Sequence, residues 1–357
     1  MKEHKFPYEW TLKDANFTKD KGTVFSCFAC GGGSTMGYKL AGFDVLGCNE
    51  IDPKMIEAYK VNHNPKYAYL EPIQTFKTRK DLPEELYNLD ILDGSPPCSS
   101  FSMAGNREKD WGKEKKFREG QADQVLDTLF FDFIDLAKEL QPKVVVAENV
   151  SGMMMGEAKE YVKKVYTEFQ NAGYQLRIEP YLLDASTMGV PQRRRRVFFV
   201  ALRNDLAGQF MEQVDMFQSA PKLDLEFNDK IVPYKEIQDH TDKSVLSHLA
   251  VSKLWDLCAA GESFSTVHPK GSFFNGSKAH PDKVVPTITA QPGGTRGVWS
   301  HTTKRPLNDL EIKKAGTYPM DYIFNDCPVV YLVGMSVPPV MTAQVASRIH
   351  EQWLSKL

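Results

Sequence analysis

The chain has 357 residues, of which 42% are hydrophobic and 25% are charged, values that are usual for a globular protein. It carries 44 Lys and Arg against 46 Asp and Glu, a formal net charge of −2. This balance argues against a basic nucleic-acid coat protein, a histone-like wrapper and a polybasic membrane binder, although it leaves room for a local basic groove. The length allows two or three domains, or one large domain with a substantial insertion.

The first two hundred residues alternate strand-like and helix-like segments. The predicted strands cover residues 23–28, 43–51, 90–94, 144–147, 175–183 and 196–202. The predicted helices cover residues 34–41, 53–62, 122–140 and 157–172. Strands that alternate with helices predict an α/β fold with a doubly wound, mostly parallel sheet.

After residue 203 the pattern changes. Residues 204–300 are irregular and rich in Pro, Gly, Ser and His, so they predict a second, smaller domain. Helical periodicity returns at residues 308–315 and 342–357. We expect the C-terminal helix to pack back on the first domain.

Targeting and membrane signals are not evident. The start of the chain lacks the apolar core of a signal peptide, and we see no apolar run near the ~18 residues that span a bilayer. The six cysteines are Cys27, Cys30, Cys48, Cys98, Cys258 and Cys327. Their low density predicts reduced thiols in a cytoplasmic protein without membrane contact rather than a disulfide scaffold.

Cys27 and Cys30 have C-x-x-C spacing, which raises the possibility of a redox pair or a zinc site. No second Cys pair or His pair lies at ligand spacing, so we predict no metal site. Two buried thiols are favoured over a redox pair.

Glycines at 31–33 fall between the first strand and the first helix, where the backbone can approach a ligand closely. Glu50 ends the second strand, and an acid about 20 residues after such a turn is placed to bind a ribose. The glycine turn followed by Glu50 predicts a nucleoside cofactor. It does not identify the cofactor, because the G-x-G-x-x-G pattern of dinucleotide-binding folds is not matched. A glycine-rich turn without a ligand is the alternative.

The segment Pro96-Pro97-Cys98 follows the strand that ends at Gly94. The carboxyl ends of strands are where open α/β sheets place ligands, and prolines stiffen the backbone before the thiol. Two interpretations of Cys98 fit the sequence at this point: a reactive cysteine and a buried structural cysteine.

Two further strand ends carry charge. Glu148 ends the apolar strand 144–147, where desolvation would raise its pKa and let it donate a proton near neutral pH. Arg193 to Arg196 open another strand, in which Arg194 and Arg196 share one face and Arg193 and Arg195 the other. The alternatives are that Glu148 is an exposed acid and that the four arginines form a solvated run of charges.

Taken together, these motifs resemble the DNA (cytosine-5) methyltransferase family, in the family's order and over most of the chain. The resembling segments are residues 28–37 with 41–43, 49–52, 96–102, 129–131, 148–150, 192–196, 286–290, 305–311 and 334–339. Each segment is weak by itself, but seven or more in order are a strong signal.

The resemblance implies a Rossmann-like methyltransferase fold whose cofactor is S-adenosyl-L-methionine, released as S-adenosyl-L-homocysteine. Residues 1–203 would be the first part of the catalytic domain, 204–300 the target-recognition domain and 301–357 the return to the catalytic domain. The implied cofactor contacts are Phe28, Gly31, Gly32, Gly33, Glu50, Ile51, Ile73, Pro97, Leu129, Ser336 and Val337.

The resemblance also implies the chemistry. Cys98 would add to carbon 6 of a flipped-out cytosine, and Glu148 would protonate or hydrogen-bond N3. Arg196 would hold O2, and Arg194 the base or the catalytic loop. The loop 99–123 would close over the DNA. The other implied substrate contacts are Pro97, Ser102, Asn149 and Gln192.

The sequence departs from the family pattern at four positions. Cys30 replaces a glycine, Ser26 stands where many members have Asp, and Met335 replaces an Asn of the last motif. Pro72 stands where an Asp usually meets the adenine. None of these departures affects Cys98, Glu148 or Arg196.

The predicted partners are double-stranded DNA and a cognate restriction endonuclease. The protein is predicted to be a monomer in the cytoplasm and to associate with the nucleoid when it binds DNA. The basic residues fall in the 193–196 run and the 107–118 loop, so a nearly neutral chain can still present a basic cleft. A transfer-RNA cytosine-5 methyltransferase and a non-catalytic DNA-binding protein are the alternatives. The length of 204–300 favours DNA over RNA, and the intact catalytic set argues against a non-catalytic protein.

Overall fold

The computed structural model describes residues 4–97, 128–156, 158–214, 218–247, 250–271, 276–290 and 297–357, and the backbone of 114–115 and 124–125. The chain divides into two compact units. The sheet unit comprises Phe17–Leu183, Arg195–Glu226 and Val345–Leu357. The second unit comprises Met1–Asn16, Asp184–Arg194 and Phe227–Gln344. The assignment of 204–300 to target recognition stays a prediction.

Within the described residues, the main sheet has eight strands, in the order β3-β2-β1-β4-β5-β8-β6, with β7 also paired to β8. They are β1 Thr23–Cys27, β2 Asp44–Glu50, β3 Tyr67–Leu70, β4 Ile91–Gly94, β5 Val144–Val150, β6 Tyr174–Gln175, β7 Tyr181–Asp184 and β8 Arg195–Arg203. Strands β1 to β5 pair in parallel, and β8 runs antiparallel to β5 and β6. The predicted mostly parallel α/β sheet is confirmed.

The helices follow the strands. They are α1 Gly33–Leu40, α2 Pro53–His63, α3 Ile73–Phe76, α4 Leu129–Leu140, α5 Ala158–Asn171, α6 Asn204–Ala207, α7 Tyr234–Ile237, α8 Ala250–Leu257, α9 Asp309–Ala315, α10 Val329–Met335 and α11 Pro339–Gln352. Short strand pairs join Glu114–Lys115 to Gln124–Val125, Met211–Gln213 to Ser219–Pro221, and Ser277–Lys278 to Val298–Trp299.

Two predicted elements were wrong in extent. The helix expected from residue 122 begins at Leu129, because Gln124–Val125 pair as a strand and their backbone groups are not helical. The strand expected over 175–183 is two short strands, β6 and β7. Pro180 lies between them and lacks the N–H that a continuous ladder would use.

The core of the sheet unit forms between the sheet and helices α4 and α5. Phe25, Val145 and Phe199 of the sheet are buried in one cluster with Phe133 of α4. A Cβ placed on Gly94 would lie 2.5 Å from Phe133 Cε2, so α4 can reach the end of β4 only because residue 94 has no side chain. This contact fixes the backbone just before the Pro-Pro-Cys segment.

The C-terminal end of the chain packs on the sheet unit, as predicted. The His350 ring meets the Phe43 ring edge-on at 6.1 Å, and Trp353 Nε1 donates to the Lys222 carbonyl at 2.7 Å. Contrary to the sequence expectation, Val329–Lys356 is long and apolar enough to cross a membrane, and an 18-residue window within it has a mean hydropathy of 1.5. Since 78% of that window is buried inside the protein, it has the character of a core segment.

A buried ion pair anchors the second unit. Arg305 Nη1 lies 2.6 Å from Glu311 Oε2, with side chains 2% and 0% exposed. Glu311 also accepts from the Tyr234 hydroxyl at 2.9 Å and from the Asp239 backbone N–H at 3.0 Å. Asn308 and Glu311 form a capping box at the start of α9. The segment 305–311, which resembles one of the family's motifs, is thus a structural anchor.

Glu311→Gln should lower the free energy of unfolding by about 3 kcal/mol, because it leaves the buried Arg305 without its main counter-charge. Chemical denaturation of the full chain measures this change. Glu139→Gln is the matched control, since Glu139 pairs with Lys80 at the surface and should change stability by less than about 0.5 kcal/mol. Equal stabilities of the two variants would contradict the anchor role.

Candidate active site

The strand directions bring the predicted site residues of the sheet unit to one edge. Strands β1, β2, β4 and β5 are parallel, so their carboxyl ends meet there, and the antiparallel β8 begins there. In the β5–β8 pair, Arg196 lies opposite Val150. The strand order reverses direction between β1 and β4, the point at which open α/β sheets bind ligands.

The turn after β1 has an unusual backbone. Phe28, Cys30 and Gly32 all have positive φ values, of 52°, 50° and 84°. A Cβ on Gly32 would lie 2.3 Å from Nε2 of His63, which is buried at the end of α2. Burial lowers the pKa of His63 to about 3, so the ring packs against the turn in its neutral form.

Gly32→Ala should lower the free energy of unfolding by about 1–3 kcal/mol, because alanine combines a left-handed φ with a clash against His63. Thermal unfolding tests this prediction. Gly208→Ala is the control, since Gly208 has helical angles and nothing within 4 Å of the added Cβ. A Gly32→Ala protein as stable as the Gly208→Ala protein would show that the turn can relax around a side chain.

Glu50 closes the turn from the end of β2. Its carboxylate accepts from the backbone N–H of Cys30 at 2.6 Å and from those of Ile51 and Asp52 at 2.9 Å each. Burial raises the pKa of Glu50, and these backbone bonds oppose the rise. Oε2 accepts only one of the three bonds, so it retains acceptor capacity for a ligand hydroxyl.

The segment after β4 is described only to Pro97. Cys98, Ser102 and nearly all of the predicted closing loop lie outside the described residues. Asn149 Nδ2 donates to the Pro96 carbonyl at 2.9 Å, and its Oδ1 accepts from the Val150 N–H at 2.8 Å. Asn149 therefore fixes the backbone two residues before Cys98.

Glu148 and Arg196 form an ion pair at the same edge. Arg196 Nε lies 2.8 Å from Glu148 Oε1, and the side chains are 15% and 10% exposed. The desolvation predicted for Glu148 is present. Because a largely buried carboxylate is held by a fixed guanidinium, its orientation is set before any substrate binds.

The other predicted cofactor contacts of the sheet unit differ in exposure. Ile73 and Leu129 are buried, whereas Phe28, Ile51 and Pro97 are half-buried and thus open to a ligand in part. The Phe28 ring lies 6.3 Å from that of Phe133.

Four predicted residues belong to the second unit, where Gln192, Arg194 and Ser336 bind backbone groups. Gln192 is buried; it donates to the Ala315 carbonyl at 3.3 Å and accepts from the Ile288 N–H at 3.0 Å. Arg194, 2% exposed, donates to the carbonyls of Ile288 at 3.1 Å and Gly334 at 2.9 Å. These contacts join three of the recognised motifs into one substructure.

The exposure pattern of the arginine run agrees with the predicted alternation. Arg193 and Arg195 are exposed, whereas Arg194 is buried and Arg196 is half-buried.

Ser336 and Val337 are also buried in the second unit. The Ser336 hydroxyl accepts from the Tyr318 hydroxyl at 2.6 Å and donates to the Leu332 carbonyl at 2.8 Å. The side chain of Met335, which replaces the usual Asn, is 46% exposed. Ser336 therefore fixes the backbone of this motif.

Of the two cysteines predicted as buried thiols, Cys27 is buried and Cys30 is only half-buried. Cys27 is buried, and burial raises the pKa of its thiol well above the usual value. Cys30 Sγ lies 3.5 Å from Met55 Sδ. Within the part of the chain that the structure describes, no group of His, Cys, Asp and Glu residues could hold a metal ion.

Sequence reasoning missed Asp93. It lies in β4, is 3% exposed and accepts hydrogen bonds from three hydroxyl groups. The available signal was a carboxylate inside the apolar run Ile91–Gly94, but only the β1–β4 register shows what it faces.

Comparison with known proteins gives consistent results. Residues 22–351 match the family model of C-5 cytosine-specific DNA methylases. The chain is 37% identical over 183 residues to the type II methyltransferase M.FnuDI of Fusobacterium nucleatum, covering 51% of this chain and 47% of that one. It is 26% identical over 339 residues to the type II methyltransferase M1.HphI of Haemophilus parahaemolyticus, covering 92% and 86%.

Among solved structures, the chain is similar to an E. coli prophage protein assigned as a DNA modification methyltransferase. The TM-score is 0.64 at 18% identity, with 92% of this chain and 99% of that one covered, so this likeness supports the fold. The match to M.FnuDI spans about half the length of that relative.

Proposed function

Because the chain belongs to the family of C-5 cytosine-specific DNA methylases, we propose that it transfers a methyl group from S-adenosyl-L-methionine to carbon 5 of a cytosine in duplex DNA. The observation that carries this proposal is that several predicted site residues converge at one edge of the sheet. The glycine turn, Glu50, the segment leading to Cys98 and the Glu148–Arg196 pair all lie there.

The residues at the ends of β1 and β2 fit a nucleoside cofactor. Glu50 at the end of β2 retains acceptor capacity for a ribose hydroxyl, and the half-buried Phe28 and Ile51 leave apolar surface beside it. We assign the cofactor to Gly31, Gly32, Gly33 and Glu50, with Phe28, Ile51 and Pro97 as half-buried contacts. When bound, S-adenosyl-L-methionine supplies the methyl group as an electrophilic sulfonium.

The chain's own residues prepare the base for this electrophile. Carbon 5 of cytosine is a poor nucleophile until the Cys98 thiolate adds to carbon 6 and Glu148 hydrogen-bonds or protonates N3. After methylation, a base removes the carbon-5 proton, and the electron pair expels Cys98 as a thiolate. The target base must first leave the stacked duplex, at a cost of a few kcal/mol.

The remaining residues position this chemistry. Arg196 orients Glu148 through the 2.8 Å contact, and its proposed role is to bind the O2 oxygen of the base. Asn149 holds the Pro96 carbonyl before the nucleophile. Gln192 and Arg194 bind backbone carbonyls, which supports positioning roles more than direct contact with the base. Roles for Ile73, Leu129, Ser102, Ser336 and Val337 stay predictions.

The proposed partner is double-stranded DNA. Two relatives are named type II methyltransferases, so a cognate restriction endonuclease is proposed as a further partner. We further propose that the protein acts as a monomer in the cytoplasm.

Transfer of a labelled methyl group from S-adenosyl-L-methionine to unmethylated duplex DNA tests the function. We expect label in the duplex and none in transfer RNA. A duplex of the same sequence with every cytosine already methylated at carbon 5 is the matched control and should stay unlabelled. Label in transfer RNA alone would support the RNA alternative, and no label in any duplex of varied sequence would contradict the proposal.

A further inference from the structure

A buried carboxylate of β4 joins the two parts of the proposed site. Asp93 lies opposite Ser26 in the β1–β4 register and precedes Cys98 by five residues. Its Oδ2 accepts from Ser26 Oγ at 2.8 Å and from Ser34 Oγ at 2.7 Å. Its Oδ1 accepts from the Tyr38 hydroxyl at 3.1 Å. One side chain thus contacts β1 and α1 from β4.

These contacts enclose the glycine turn. Ser26 precedes residues 27–33 and Ser34 follows them, so a single carboxylate oxygen closes the turn at both ends. Because Asp93 belongs to β4, the turn is tied to the strand that leads to Cys98. Ser26 stands where many family members have an acid, and in this chain the acid lies on the neighbouring strand.

The charge on Asp93 is retained at a cost in stability. Burial raises its pKa from 3.8 to about 6; the three hydroxyl donors oppose this rise, and Glu148 adds to it. Since the folded pKa exceeds the unfolded one, the contribution of Asp93 to stability falls as pH rises between these values, and the ionised form is destabilising at neutral pH. The neighbouring Cys27 and Tyr38 have raised pKa values and stay neutral.

We propose that Asp93 is a positioning residue that holds the cofactor-binding turn against the strand carrying the nucleophile. The inference rests on the proposed function, because it concerns the same cofactor site. If Asp93 served only folding, a neutral side chain of the same shape would stabilise the protein at neutral pH. If Asp93 shapes the turn, cofactor binding rather than folding depends on its charge.

The test compares Asp93→Asn with Asp90→Asn. Asp90 also links β1 to its neighbours, accepting from the Thr23 N–H at 2.8 Å and pairing with Lys143 at 2.8 Å, but at the amino end of the strands, away from the site. Calorimetric binding of S-adenosyl-L-homocysteine and thermal unfolding are measured on the full chain. We expect Asp93→Asn to weaken binding about tenfold or more without a lower melting temperature at neutral pH. Asp90→Asn should bind within about twofold of wild type while melting earlier.

The pH dependence separates positioning from packing. Wild-type affinity for S-adenosyl-L-homocysteine should fall as pH decreases through about 6, whereas Asp93→Asn should show no such fall. If Asp93→Asn does not fold, Ser34→Ala and Tyr38→Phe each remove one donor to the carboxylate and should each weaken binding about threefold.

The outcomes distinguish the two proposals. A wild-type protein that binds no S-adenosyl-L-homocysteine would overturn the proposed function. A wild type that binds it, together with an Asp93→Asn protein of equal affinity and equal pH profile, would overturn the positioning role alone. Asp93→Asn and Asp90→Asn proteins that lose affinity equally would also overturn it.

Discussion

Replacing Cys98 with serine should lower the rate of methyl transfer by about 10⁴-fold or more. A serine hydroxyl is not ionised near neutral pH and is a far weaker nucleophile than a thiolate, so addition to carbon 6 of the cytosine would not proceed. Carbon 5 would then stay unreactive toward the methyl donor. The measurement is the single-turnover rate of label transfer to duplex DNA with cofactor in excess.

A second cysteine provides the control for this prediction. Cys327 is a buried cysteine of the second unit that forms no disulfide, and Cys327→Ser should retain methyl transfer within a few-fold of wild type. Binding of S-adenosyl-L-homocysteine by Cys98→Ser should match that of wild type, because the thiol acts on the base. Cys98→Ser transferring methyl groups at the wild-type rate would assign the nucleophile to another residue.

Glu148→Gln should lower the same rate by about 10²–10⁴-fold, the usual contribution of a positioned acid or base. Glutamine keeps the shape of the side chain, but it cannot protonate N3 and cannot neutralise Arg196, which lies 2.8 Å from the carboxylate. The loss should appear in the rate at saturating DNA. Stability should also fall, because the guanidinium of Arg196 is left without its counter-charge.

Two comparisons separate catalysis from folding in the Glu148 variant. Glu160→Gln removes an exposed acid of α5 that pairs with Lys163 at the surface, and it should leave both rate and stability unchanged. Arg196→Lys keeps a positive charge beside Glu148 and should retain more activity than Glu148→Gln. If Glu148→Gln is less stable yet turns over normally, the ion pair is purely structural.

The sequence predicted the sheet and the residues at its edge because glycine, proline and charge mark strand ends. The turn at Gly31–Gly33, the stop at Pro96 and the acid at Glu148 each lie where an apolar run finishes, and the structure brings all three to one edge. Alternation along Arg193–Arg196 predicted which side chains share a face, since successive side chains of an extended backbone point to opposite sides. Only the structure shows that Arg193 and Arg195 form the exposed pair.

The features of the site that the sequence did not predict depend on contacts between residues that are distant in sequence. Asp93 faces Ser34 and Tyr38 only because β4 pairs with β1 and α1 packs over both strands. Arg194 resembles a catalytic arginine by motif, but it donates to carbonyls 94 and 140 residues further along the chain. Helix α10 has no polar face to reveal it, so periodicity did not predict it.

Duplex DNA containing 5-fluorocytosine at the target position tests the central claim most directly. Fluorine cannot leave carbon 5 as a proton does, so elimination is blocked and the Cys98–carbon 6 bond should persist after methyl transfer. We expect a denaturation-resistant adduct of one protein chain with one duplex, formed only when S-adenosyl-L-methionine is present, with the DNA attached to the peptide that contains Cys98. Normal methylation of ordinary duplex without any such adduct, or an adduct on a different cysteine, would contradict it.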